Sequence, residues 1–193
     1  MPYVYNPFID NLDNTGSGGG SSSGNRVLIE SQTASASSSI EFVTGVTGYD
    51  LYEITFYGVT TLGNGATKRI VLQLSTNAGS SWITSADYYV GGVYSGASSG
   101  GGNYSINGET YVRLLDNNDD ASATPCSSNI QLSSLGSTTL NKTLQAWTTG
   151  AGSNVYYVSI SASVLTLSAI NGIKIFPING TFTTGTFNLY GIV

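Results

Sequence analysis

The feature that most constrains this chain is a side-chain pattern of period two that recurs from Arg26 onward and nowhere gives way to a helical one. Tyr52, Ile54 and Phe56 alternate with Leu51, Glu53 and Thr55. Tyr156, Val158, Ile160 and Ala162 alternate with Tyr157, Ser159, Ser161 and Ser163. Successive side chains of a strand point to opposite faces, so each segment reads as a strand with one face buried and one wet. Ile70, Leu72 and Leu74 alternate with Arg69, Gln73 and Ser75 in the same manner, Val71 being the exception. Past Val164 the apolar phase slips to Leu165 and Leu167, which predicts a bulge or break and a bend, because a one-residue shift turns side chains to the opposite face. Further strands are expected at 27–32, 39–43, 111–115, 129–133, 173–178 and 186–192. Turn clusters such as LGNGAT, TNAGSS, SGASSGGGN and NNDDAS separate them. No stretch carries the i, i+3, i+4, i+7 spacing with good helix formers. Two facing antiparallel sheets bury such strands economically, so the expected fold is all-β, an antiparallel β-sandwich of jelly-roll type with an extended N-terminal arm. An immunoglobulin-like sandwich is the alternative, although a single cysteine denies it the paired cysteines of antibody domains.

The chain before Arg26 is different. Residues 1–15 carry Tyr3, Tyr5, Phe8, Ile9 and Leu12 around Pro2 and Pro7 with no strand or helix period. They are followed at 16–25 by GSGGGSSSGN, a flexible-linker composition with almost no side chain to bury. A ten-residue random coil of this kind has a typical end-to-end distance of roughly 17–19 Å. Large apolar side chains held off the main domain by such a tether point to docking on another molecule, the alternative being a frayed terminus. The expected organisation is thus an anchor peptide (1–15), a tether (16–25) and a sandwich domain (26–193).

Charged residues make up 9% of the chain, against roughly a quarter in typical soluble domains, so solubility must rest on hydroxyls and amides. With six Lys and Arg and a net charge of −5, there is no basic patch to replace the counterions of a phosphate backbone, and nucleic acid is not an expected partner. No apolar run approaches the roughly 20 residues that span a bilayer, and MPYVYNPFID lacks the basic start and apolar stretch of a secretory signal. Neither membrane insertion nor conventional secretion is expected.

The chain has no histidine, which removes the usual general base, the commonest zinc ligand and the Ser-His-Asp and Cys-His arrangements together. Cys126, in TPCSSN, has no neighbouring cation to lower its thiol pKa and reads as a buried or incidental thiol. The glycine clusters lack the GK[ST] ending of a phosphate loop. A glycosidase needs only two carboxylates at a set separation, but the eleven Asp and Glu are scattered with no spacing that pairs any two. No catalytic residue, cofactor or metal is expected. Asp116, Asn118 and Asp120 offer oxygens suited to a hard cation, yet their turn lacks the glycine and distal glutamate of an EF-hand, and a solvated turn is the preferred reading.

Trp82, Tyr88, Tyr89, Tyr94 and Tyr104 fall in or beside Gly- and Ser-rich segments that read as loops. Rings on polar loops stack on sugar faces while neighbouring Ser and Asn bond hydroxyls, which makes Tyr88, Tyr89, Tyr94 and Tyr104 candidate glycan contacts. Plugging the ends of the sandwich is the competing role, and the preferred one for Trp82.

Four stretches resemble small bacteriophage tail and fibre proteins. PYVYNPFIDNLDNTG is similar to the "NPFTGKLD" anchor that opens many phage fibre chains. SSIEFVTGVTGYDLYEITFYGV (38–59) resembles "IEFTGLSGYDxYxLVLSGV", and LQLSTNAGSSW (72–82) resembles "LRxSTDGGSTW". INGIKIFPINGTFTTGTFNLYGIV (170–193) resembles "INGIRFLPSSGNIxSGTFxLYGI". The four lie in the expected order over about half the chain, while 92–144 resembles nothing in the family. The resemblance implies a virion β-sandwich, commonly a homotrimer, assembled in the host cytoplasm. It implies attachment to a tail or baseplate protein through the N-terminal arm, here Tyr3, Tyr5, Pro7, Phe8, Ile9 and Leu12, with the distal face available to host-surface glycan. It implies no enzyme. Two alternatives stay open: a capsid decoration or head-fibre protein, in which the same anchor grips capsid subunits, and a free carbohydrate-binding module.

Overall fold

A computed structural model of the chain describes residues 26–63, 69–96, 100–116, 125–151 and 155–193. The anchor peptide, the tether and residues 117–120 of the acidic turn lie outside the described residues.

The protein is an all-β sandwich of two antiparallel sheets. Its strands are β1 (Arg26–Thr33), β2 (Ile40–Phe42), β3 (Leu51–Gly63), β4 (Arg69–Ser75), β5 (Tyr88–Gly96), β6 (Gly100–Glu109), β7 (Val112–Asp116), β8 (Cys126–Ser133), β9 (Lys142–Ala151), β10 (Val155–Val164), β11 (Gly172–Ile178) and β12 (Gly180–Ile192). The larger sheet runs β1-β12-β3-β8-β9-β10-β5-β6 and the smaller β2-β11-β4-β7. The chain changes sheet at every step except from β5 to β6 and along β8, β9 and β10. The pairs β5-β6 and β9-β10 stay in the larger sheet and widen it beyond β8.

Alternation decides which residues form the core. Tyr52, Ile54 and Phe56 of β3, Ile130 and Leu132 of β8 and Val158, Ile160 and Ala162 of β10 all face inward and are buried. Ile40, Leu72, Leu74, Ile173 and Ile175 meet them from the smaller sheet. Phe187 lies between Phe56 and Phe182, at ring-centroid distances of 5.2 and 5.1 Å. The break expected after Val164 is where β10 ends: the Leu165 N–H turns away to the Asp87 carbonyl (2.9 Å), and Leu165 and Leu167 are exposed.

Three departures from the sequence reading have physical causes. First, β4 is buried on both faces rather than one. Polar groups on its outer face are satisfied internally, Gln73 Nε2 donating to the Thr110 carbonyl (2.9 Å) and Ser75 Oγ accepting from the Gly79 N–H (3.0 Å). Second, the segment containing Tyr88, Tyr89, Tyr94 and Tyr104 is not loop but the β5-β6 strand pair. Its glycines are sites of close approach: a Cβ on Gly92 would sit 2.6 Å from the Ser159 carbonyl oxygen, and one on Gly102 would sit 2.7 Å from the Tyr94 hydroxyl of the paired strand. Third, β9 carries Lys142, Leu144, Ala146, Thr148 and Gly150 inward, a set too polar and too small to read as an apolar stripe. The buried Lys142 ammonium is held by the Ser137 and Leu140 carbonyls at 2.6 and 2.7 Å, and burial lowers its pKa from the usual lysine value.

Where β12 pairs with β3 the register shifts twice around Thr184. Gly185 carries the irregularity at φ +127°, and a Cβ there would lie 2.5 Å from Val59 Cγ2. Beside it Thr60 Oγ1 lies 2.5 Å from Thr183 Oγ1 and 2.7 Å from Thr184 Oγ1. Gly185→Ala combines a disallowed backbone angle with a clash in the core wall, and should cost about 2–4 kcal/mol in urea unfolding.

Cys126 is buried on the inner face of β8, and burial pushes its thiol up to about 12, its backbone hydrogen bond working weakly the other way. The folded state therefore holds a proton that the unfolded state releases from about pH 9. The stabilisation is complete below that pH and is lost as pH rises toward 12. Between these limits the wild type should lose more stability than Cys126→Ala in urea titrations. Equal losses would mean that the thiol titrates freely in the fold.

Candidate functional site

The smaller sheet lies on one side of the larger, and among the described residues the opposite side is accessible from β9 to β5, where Thr143, Gln145, Trp147, Tyr157, Ser161, Tyr89 and Val93 are exposed. What stands on it follows from strand parity. The residues between the core positions of β8, β9 and β10 are Asn129, Gln131 and Ser133, then Thr143, Gln145 and Trp147, then Tyr157, Ser159, Ser161 and Ser163. β5 adds Tyr89, Gly91 and Val93, and β6 adds Asn103, Ser105 and Asn107.

Backbone pairing aligns these side chains in rows across the strands. One row runs Ser105, Gly91, Ser161, Gln145, Gln131 from β6 to β8. The next runs Asn107, Tyr89, Ser163, Thr143, Ser133 and reaches Leu51 of β3. Together they line a shallow groove of about 670 Å³, within the roughly 300–1,000 Å³ typical of small-ligand sites. Its lining includes no Asp, Glu, Lys or Arg. Ser133 and Thr143 hydroxyls bond each other at 2.6 Å. Among the described residues, no hydrogen bond engages the side-chain amides of Gln131 and Gln145, so both keep their donors and acceptors for whatever fills the groove.

The flank toward β1 has another character. Glu53 accepts from Arg26 (2.9 Å) and from Asn129 Nδ2 (2.8 Å), and the Arg26 guanidinium lies 4.1 Å from the centre of the Tyr190 ring. The charges on this side are therefore committed to one another, and the uncharged side carries the groove. Beside the groove, Val93, Trp147 and Tyr157 stand exposed on the same face.

The four tyrosines singled out from the sequence do not form one cluster. Tyr89 is 40% exposed and lines the groove. Tyr88 points the opposite way and is fully buried. Its hydroxyl accepts from the Leu74 N–H (2.9 Å) and donates to the Ile83 carbonyl (3.2 Å), and burial raises its pKa far above the usual phenol value. A glycan-contact role for Tyr88 is thus corrected to a structural one. Tyr94 is partly exposed and covers Gly102, on the inward side of β5 rather than in the groove. Tyr104 pairs with Gly92 in β6, and its side chain lies outside the described residues. Trp82 is half-buried over the smaller sheet, with Lys174 Nζ 5.4 Å from its ring centre, away from the groove. Trp147, Gln131 and Gln145 escaped the sequence reading. The alternation of Thr143, Gln145, Trp147 and Thr149 with Leu144, Ala146 and Thr148 is the signal that could have placed Trp147 on a sheet face.

Among the described residues no three Cys, Asp or Glu side chains gather into a metal-binding group. No family model matches this chain, and no curated protein or solved structure is significantly similar to it.

Proposed function

We propose that this chain is a structural protein of a bacteriophage virion, a tail fibre or baseplate-attached fibre that adheres to the host surface and has no enzymatic activity. The observation that carries the reading is the order of its parts: an apolar leader, a Gly/Ser tether, then a sandwich whose larger sheet carries an uncharged groove. The tether joins the sandwich at Arg26, on an edge strand whose first three residues are exposed, so the leader is linked to the domain's surface and not to its core. Tyr3, Tyr5, Pro7, Phe8, Ile9 and Leu12 dock on the particle, and the sandwich is left free at the end of its tether. The absence of histidine and of any carboxylate in the groove supports a binding role over a hydrolytic one.

The finer fold reading is a jelly roll carrying two inserted hairpins. Removing β5-β6 and β9-β10 leaves β1-β12-β3-β8 opposite β2-β11-β4-β7, two four-stranded sheets between which the chain crosses at every step except β4 to β7, which are neighbours in the smaller sheet. In the particle the chain is a homotrimer, as the resemblance to phage fibres implies, and light scattering of the full chain measures that state directly.

Deleting residues 1–15 separates the anchor from the sandwich. The truncated chain should keep the wild-type melting temperature and β-rich circular dichroism yet be absent from purified particles. Loss of folding on truncation, or undiminished incorporation, would contradict the anchor role.

A further inference from the structure

We propose that the groove across β6, β5, β10, β9 and β8 to the start of β3, on the outer face of the larger sheet, is a binding site for a neutral oligosaccharide lying across the strands. The inference deepens the adhesion reading and rests on it for its biological sense. Its evidence, however, is the groove itself.

Three properties select the ligand class. Charge is the first: the lining is wholly uncharged in a chain of net charge −5, so a polyanion meets no compensating cation and a cationic ligand no carboxylate. Hydrogen-bonding character is the second. The Gln131 and Gln145 amides, paired across β8 and β9, and the hydroxyls of Ser161 and Ser163 both donate and accept, which matches sugar hydroxyls and not a purely apolar partner. The Tyr89 ring at the rim supplies a surface on which an apolar sugar face can lie. Shape is the third. The lining spans six adjacent strands from β6 to β3, about 24 Å at the usual strand spacing of about 4.8 Å, which suits a chain of sugar units rather than one. A peptide strand gains nothing comparable, because the backbone groups beneath the groove are already spent in the ladders.

Gly91 gives the site a clean test. It forms the floor between Ser105 and Ser161, its φ is not in the left-handed region, and a Cβ built on it meets nothing within 4 Å. A large side chain there fills the groove without entering the core, whereas the neighbouring Gly92 admits none. The experiment presents the full chain, as wild type, Gly91→Phe and Tyr89→Ala, to immobilised neutral and acidic microbial oligosaccharides. Melting temperature and light scattering are recorded for each variant. The wild type should retain neutral oligosaccharides. Gly91→Phe should abolish that retention at unchanged melting temperature, and Tyr89→Ala should weaken it about tenfold.

Retention that survives Gly91→Phe in a folded protein would place the glycan elsewhere and overturn the groove, leaving adhesion intact. Retention of acidic oligosaccharides alone, or of none, would overturn the ligand class, while incorporation through residues 1–15 still tests the virion reading separately. An oligomeric wild type that Gly91→Phe converts to monomer would show that a second copy of the chain occupies the groove, and would equally overturn the proposal.

Discussion

One set of alternating side chains is buried between two sheets of unequal width, and the rest of the structure depends on that burial. Tyr52, Ile54, Phe56, Ile130, Val158 and Ile160 are drawn inward against Leu72, Leu74, Ile173 and Ile175. Because parity along a strand is strict, fixing these residues inward fixes Gln131, Gln145, Ser161 and Tyr89 outward with no freedom left over. The polar face is thus a geometric consequence of the apolar one. A one-residue slip of β9 or β10 would exchange the two and is opposed by the whole core.

Unequal width turns this consequence into a surface. Four strands and the segments around them occupy the inner side of eight, and among the described residues no second sheet lies over the outer side. Natural sheets left open in this way are kept soluble by their outward residues, commonly charges. Here the solution is amides and hydroxyls over β8 to β6, with charge confined to the Arg26–Glu53 pair toward the opposite edge. The same choice that keeps the face wet without charge also equips it for partners rich in hydroxyls. Small side chains at Gly91, Ser105 and Ser161 lower the floor between Tyr89 and the two glutamines, so a face that would otherwise be flat has a groove.

The core strands were legible because their inward residues are large and apolar. β3, β4, β10 and β11 could be read from alternation alone, and so could the end of β10 at Val164, where the phase slips. β5 and β6 were not legible, since Gly91, Gly92, Gly96 and Gly100 to Gly102 signal turns in isolation. They serve the sheet because cross-strand neighbours such as Tyr94 fill the space they leave. β9 was hidden for a different reason: its inward residues include Lys142 and Thr148, whose polar atoms are satisfied by the Ser137 and Leu140 carbonyls and by the Ser128 hydroxyl. Half of the candidate site vanished with these three strands. Tyr89 was singled out together with Tyr88, although adjacent strand residues must face opposite ways, and Trp147 was passed over because its strand was. The groove itself is a property of registers joining six strands, which no local pattern contains.

The central claim is that the outer face of the larger sheet is free and is the working surface of the protein, and accessibility at Ser161 measures it most directly. Cys126, buried within the core, serves as the internal standard of a protected thiol. In Ser161→Cys, a maleimide should label the introduced thiol rapidly, both in the purified chain and in assembled particles, while Cys126 reacts only on unfolding. Protection at 161 comparable to that of Cys126 would mean that another surface covers the groove, and would contradict the account.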